Sequence, residues 1–211
     1  MIRKRSLVRR TAAIAAAGAA ALVLAACGAG DESAGHSGGH NSTSASASAS
    51  APASQGQSNA ADVAFAQGMI PHHRQAVEMA DLADGRAQSA EVKQLAADIK
   101  KAQDPEIKTL SGWLTSWGEE VPAEGTMDHS AHGAGGGTMT AEEMTELENA
   151  SGEEFDTAFM EMMIKHHEGA IEMAKTEQAD GAHAPAQEMA AQIVTSQSAE
   201  MEQMNKLLGR N

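Results

Sequence analysis

The sequence predicts an all-α protein, a four-helix bundle made of two tandem αα-hairpin repeats. Three observations carry that expectation. The segment "MIPHHRQAVEMA" at 69–80 returns ninety-four residues later as "MIKHHEGAIEMA" at 163–174, and residues 62–81 and 156–175 agree at eleven of twenty positions. A repeat of this length means two copies of one supersecondary unit. Apolar residues recur three and four apart in both copies, the stripe of an amphipathic helix. Strand signals are missing: the chain has no tyrosine and no alternating apolar runs.

Taken in chain order, the first ten residues, "MIRKRSLVRR", carry five positive charges and no acid, and the apolar run "TAAIAAAGAAALVLAA" follows. That is the pattern of a secretory signal over 1–26. It falls short of the roughly 20 strongly apolar residues of a membrane-spanning helix. Leu24-Ala25-Ala26-Cys27 resembles the lipobox of bacterial lipoproteins, so Cys27 is expected to carry lipid and anchor the protein to the outer face of the cell membrane. It is the chain's one cysteine, which excludes an internal disulfide and a thiolate metal cluster. Removing 1–26 leaves ten basic against 29 acidic residues, a formal −19. Such a surface repels nucleic acid and anionic lipid headgroups and suits cations as partners.

Residues 27–60 are Gly, Ser and Ala with almost nothing bulky, a tether that cannot bury enough surface to fold. His36 and His40 within it read as solvated spacer residues. The first hairpin is expected over 61–118. Phe65, Met69, His72, Ala76, Met79 and Ala83 form its first stripe, Gly85 is a candidate C-cap, and Pro105 is expected to kink or restart the second helix. Residues 119–140 form a Gly/His/Met crossover. Residues 141–211 hold a short helix and the second hairpin, with helices over 153–178 and 184–208.

At 100° per residue, Phe65, Met69, Ala76 and Met79 fall within about 60° of His72, with His73 and Asp62 at the edge of the same stripe. The second copy places Phe159, Met163, His166, His167, Ala170, Met173 and Asp156 likewise. Four histidines and four methionines are thus expected to converge inside one bundle. A single buried histidine is usually a hydrogen-bonded core residue, and methionine fills irregular gaps. Adjacent histidines written twice, flanked by Met at fixed offsets, point instead to metal, because burying four imidazoles costs desolvation that leucine avoids. The candidate ligands are Met69, His72, His73, Met79, Met163, His166, His167 and Met173.

Asp62 and Asp156 read as helix N-caps or further ligands. Gln103, Glu106, Gln197 and Glu200 interrupt apolar stripes twice and are expected to orient the imidazoles by hydrogen bonds or to bind metal themselves. Met127, His129 and His132, with Met139, could capture a metal in the crossover and pass it inward. Glu78 and Glu172 point away from the stripe and read as surface charges, with Glu78 four residues from Arg74.

After signal removal the chain has twelve methionines against seven leucines. Thioether is a soft donor that selects copper(I), imidazole suits copper in either oxidation state, and silver(I) should compete. Thiols are readily oxidised outside the cytoplasm, which leaves Met and His as the practical ligands there.

The segments "FAQGMIPHHRQAVEMA" and "FMEMMIKHHEGAIEMA", each followed by Gln-x-x-Glu-Ile or Gln-x-x-Glu-Met on the next helix, look like the bacterial family called domain of unknown function 305. The resemblance spans roughly 60–208. It implies an exported ferritin-like bundle and makes copper binding the expected property.

The leading expectation is a lipid-anchored protein that binds copper, without catalysis, an organic cofactor or a nucleic-acid partner, for buffering, resistance or transfer, working with an envelope protein that donates or accepts the metal. One alternative is a dinuclear iron or manganese redox enzyme. That class uses Glu-x-x-His on inner faces, whereas Met69 and Met163 stand three before each His pair; Glu106 and Glu200 keep it open. The other alternative is a metal-free, partner-binding lipoprotein with an adaptable Met-rich surface. No nucleophile–base pair or phosphate loop is present.

Overall fold

The computed structural model describes residues 58–124 and 136–210. These form five helices, α1 (Ala60–Arg86), α2 (Ala90–Trp117), α3 (Ala141–Asn149), α4 (Gly152–Asp180) and α5 (Ala184–Leu207), and among the described residues there is no strand. None of these helices is long and apolar enough to cross a membrane. The signal, Cys27, the tether histidines, Met127, His129 and His132 lie outside the described residues.

Local chemistry explains the boundaries. The Asn59 side chain accepts from the N–H groups of Ala61 and Asp62, and the Asp62 carboxylate reaches back to the Asn59 N–H, closing a capping box on α1. Ser89 caps α2 through Val92 N, and Gly118 ends it in the left-handed region at φ 77°. Thr140 and Glu143 close a second capping box on α3. Two expectations are corrected. Gly85 is not a cap: α1 runs one residue further, and its cap is the extended Ala87. Pro105 does not restart α2, which continues through it, just as α1 continues through Pro71. A helix tolerates the missing N–H where packing on either side of the proline holds it in place.

Each repeat folds as an antiparallel hairpin, α1 with α2 and α4 with α5, and the two hairpins meet through α1 and α4. Small residues let these two backbones approach: Ala76, Ala80, Ala83, Ala170 and Ala174 are buried. A Cβ added to Gly68 would lie 3.4 Å from Met173 Sδ.

Because α1 and α4 run antiparallel, the core separates into two apolar clusters. One gathers Met79, Leu95, Ile99, Leu147, Phe155, Phe159, Met160 and Met163. The other gathers Phe65, Met69, Ile70, Leu110, Leu114, Ala186, Ala190 and Ile193. Each large side chain so buried contributes about 1.5–3 kcal/mol. Between the clusters lies a buried polar layer of His72, His73, His166, His167, Gln103 and Gln197.

The repeated aspartates lock the two ends, though neither is the N-cap of its own helix: Asp62 is the third residue of the α1 capping box, and Asp156 lies inside α4. Asp62 accepts from Ala182 N and His183 N (2.8 Å), ahead of α5. Asp156 accepts from Gln88 N (3.0 Å) and Ser89 N (2.8 Å), ahead of α2. Each aspartate therefore serves the opposite hairpin. Each also lies ten residues from its histidine, roughly 15 Å along the helix.

Candidate metal centre

Helical periodicity and the α1–α4 contact bring the repeated histidines together. The rings of His72 and His166 are 3.7 Å apart between centroids and tilted by 43°, and those of His166 and His167 are 6.4 Å apart. All four imidazoles are at most 2 % exposed.

Three of the rings have a partner at Nε2. His73 Nε2 donates to Glu106 Oε2 at 2.7 Å, and its repeat mate His167 donates to Glu200 Oε2 at 2.6 Å. His72 Nε2 donates to the Gly136 carbonyl at 2.9 Å. Five ring nitrogens have no hydrogen-bond partner: Nδ1 of His72, His73 and His167, and both nitrogens of His166. Buried polar atoms are nearly always paired, so a set of five asks for an explanation.

Burial, with the neighbouring His73 adding to it, pushes the His72 imidazole down to about 3. Burial, then the other three rings, holds His166 well below its usual 6.5, against a smaller upward pull from the His72 backbone, which lies near the ring without forming a hydrogen bond of good geometry. Both are neutral at neutral pH and present lone pairs, the form a metal binds.

Glu106 and Glu200 make the hydrogen bonds to imidazole that the sequence reading anticipated, and Gln103 makes none. Both amide atoms of Gln103 and the Oε1 of Gln197 have no hydrogen-bond partner, although both side chains lie in the polar layer. The methionines do not converge on one point. Met69 and Met163 stand one turn from the histidines, in opposite clusters, whereas Met79 and Met173 stand two turns away, Met79 inside an apolar cluster and Met173 half-buried against the other. Met139 is buried at the edge of α3. Arg74 does not pair with Glu78; it donates to the carbonyls of Pro122 (2.7 Å) and Ala123 (3.1 Å).

Among the described residues no three His, Cys, Asp or Glu side chains stand together as a ligand set. A cation in this layer would draw on imidazole and thioether together. That donor set is soft, and it fits copper(I) or silver(I) better than a hard divalent ion.

Several polar residues escape a repeat-based reading because they break the repeat. Gln75 stands opposite Gly169, Glu177 opposite Ala83, and His183 opposite Ser89. Burial and the adjacent Asp62 push the Glu177 carboxyl up to about 8. Burial pushes Asp62 up as well, but hydrogen bonds from Asn59, His183, Glu177 and Ala182 outweigh it and hold that carboxyl low. The His183 ring stands T-shaped to Trp113 and Trp117 at 5.3 and 5.2 Å. Positions where two copies disagree are the signal that would have found them.

Fold and site define a two-hairpin helical bundle with a doubled histidine pair buried between its halves. Residues 62–208 match domain of unknown function DUF305, and the chain belongs to that family. It is similar to a DUF305 protein of Streptomyces coelicolor, with 31% identity over 71% of this chain and 91% of that one, TM-score 0.63. It is similar to a DUF305 fragment from Deinococcus radiodurans, with 28% identity over 73% and 99%, TM-score 0.65. It is also similar to CopM in its Cu(I)-bound form, with 31% identity over 69% and 94%, TM-score 0.58; CopM structures in Cu(II)-bound and Ag-bound forms match as well. Comparison with curated proteins gives no match.

Proposed function

We propose that this protein is an extracytoplasmic lipoprotein that binds copper, chiefly copper(I) and also silver(I), to buffer the metal or pass it on, and that it is not an enzyme. The observation that carries the reading is the layer of four buried imidazoles with five unpartnered ring nitrogens between α1 and α4. Leaving such atoms dry costs about 1–3 kcal/mol each, and a bound cation offsets that cost. The metal-bound forms of CopM support the choice of metal. The Leu-Ala-Ala-Cys motif at Cys27, after a basic and then apolar leader, supports export and a lipid anchor.

In this reading the four histidines bind soft cations with no more than two rings to any one ion, and Met69 and Met163 are the nearest thioethers along the helices. Glu106 and Glu200 fix the orientation of His73 and His167, as carboxylates behind metal-bound imidazoles do. Both carboxylates are engaged this way, which speaks against their serving as the bridging ligands of a dinuclear iron or manganese enzyme. A copper(I) titration against a colorimetric chelator, beside a variant with all four histidines changed to alanine, tests the reading. Tight binding that the variant loses supports it; equal binding by both proteins moves the site elsewhere.

A further inference from the structure

We infer that Gln75 is a positioning residue for the imidazole layer: acting through residues 136–139, it holds His72 as its Nε2–H tautomer, so that His72 meets a soft cation with Nδ1 alone. The inference rests on the copper reading and adds which nitrogen binds and what decides it.

Gln75 is 1 % exposed and spends its whole amide on one residue. Its Nε2 donates to the Met139 carbonyl at 2.9 Å, and its Oε1 accepts from Met139 N at 2.7 Å. The paired bonds fix the backbone at 139 against α1. Three residues upstream, the Gly136 carbonyl takes the proton of His72 Nε2 at 2.9 Å. Gln75 and His72 lie three apart on one face of α1, so a single strap crosses both.

The strap has no room to slide. Gly137 is left-handed at φ 71°, and a Cβ there would lie 2.5 Å from the Lys165 carbonyl. A Cβ on Gly169, from the facing helix, would lie 2.0 Å from the Gly136 oxygen. A carbonyl can only accept, so His72 must keep its proton at Nε2, and its remaining lone pair sits on Nδ1.

The second repeat has no such device. Gly169 occupies the position matching Gln75, and His166, which matches His72, has both nitrogens unpartnered. A symmetric sequence motif thus becomes an asymmetric pair of donors: one ring is fixed in advance and the facing ring is free to adapt.

The test uses the full chain with 15N-labelled histidine, long-range proton–nitrogen NMR at pH 7.5, and silver nitrate as the probe. His72 signals are assigned by their loss in His72→Gln. In the metal-free protein His72 is expected to show a protonated Nε2 and an unprotonated Nδ1, and silver is expected to shift Nδ1 while Nε2 stays protonated. In Gln75→Leu, and separately in Gly169→Ala, which keeps Gln75 but drives the strap off, both His72 nitrogens should move to the intermediate shifts of mixed tautomers. If Gln75→Leu does not fold, Gly169→Ala carries the test. A silver shift at Nε2, or a pure Nε2–H ring in the strap variants, overturns the inference. Silver that moves other histidine rings but not His72 Nδ1 overturns it and leaves the copper reading standing; silver that moves no ring overturns both.

Discussion

Replacing His166 with leucine should make the metal-free protein more stable. His166 is fully buried and neither ring nitrogen has a hydrogen-bond partner. An unsatisfied buried polar group costs about 1–3 kcal/mol, and leucine is close to histidine in volume, so the buried space beside His72 and His167 stays filled. At pH 7.5 the expected gain is about 1–3 kcal/mol, and each kcal/mol raises the melting temperature of a domain this size by roughly 2–4 °C. Silver should act in the opposite sense. A cation present at about 100 times its dissociation constant stabilises the wild type by roughly 2.7 kcal/mol, and the variant should lose most of that. Calorimetry of both proteins with and without silver reads the two effects together. A metal-free variant less stable than wild type by more than about 1 kcal/mol would refute the reasoning, because the imidazole would then be holding the layer together by itself.

Three further outcomes follow from the same geometry. Glu106→Leu removes the carboxylate behind His73 and should weaken copper(I) binding about 10–100-fold in chelator competition, while Glu106→Gln, whose carbonyl still accepts the Nε2 proton, should lose far less. Asp156→Ala should cost about 1.5–3 kcal/mol in urea unfolding, since Gln88 N and Ser89 N lose a charged acceptor, yet leave silver stoichiometry unchanged; a lost silver ion would make Asp156 a ligand. For pH, the folded chain keeps His72 neutral down to about 3 while the unfolded chain takes up a proton near 6.5. The contribution of His72 is therefore intact above pH 6.5 and falls by about 1.4 kcal/mol per unit below it, so the urea midpoint of the metal-free protein should drop between pH 7 and 5, and a flat profile there would count against the neutral buried ring.

The bundle was legible in the sequence because two signals agreed: helical periodicity gave each stripe, and the repeat gave the pairing of stripes. The helix ends were less so. Gly85 reads as a stop, but neighbouring Ala83 and Ala87 are buried in the core and carry α1 past it. The imidazole layer was legible from His72, His73, His166 and His167, and so were its buttresses Glu106 and Glu200, because all six are written twice. The spread of the methionines was not, since angle around a helix says nothing of height along it: Met79 shares the face of His72 but sits two turns away. Asp62 and Asp156 misled because an aspartate near a helix start can serve its own helix, a neighbouring hairpin or, as Asp62 does, both, and only the tertiary arrangement decides. Gln75 was invisible for a different reason, since its meaning lies in a backbone segment sixty-four residues downstream.

The antiparallel meeting of α1 and α4 has a consequence for how such a molecule could arise. Each hairpin contributes one histidine pair, one glutamate to steady it and one aspartate that reaches into the other hairpin. Alone, a hairpin would own half of everything and complete nothing. An ancestral single-hairpin chain could have assembled the imidazole layer only by self-association, so that docking two copies and creating the centre were one event. Duplication within one gene would make that encounter permanent and free the copies to differ, as Gln75 and Gly169 do.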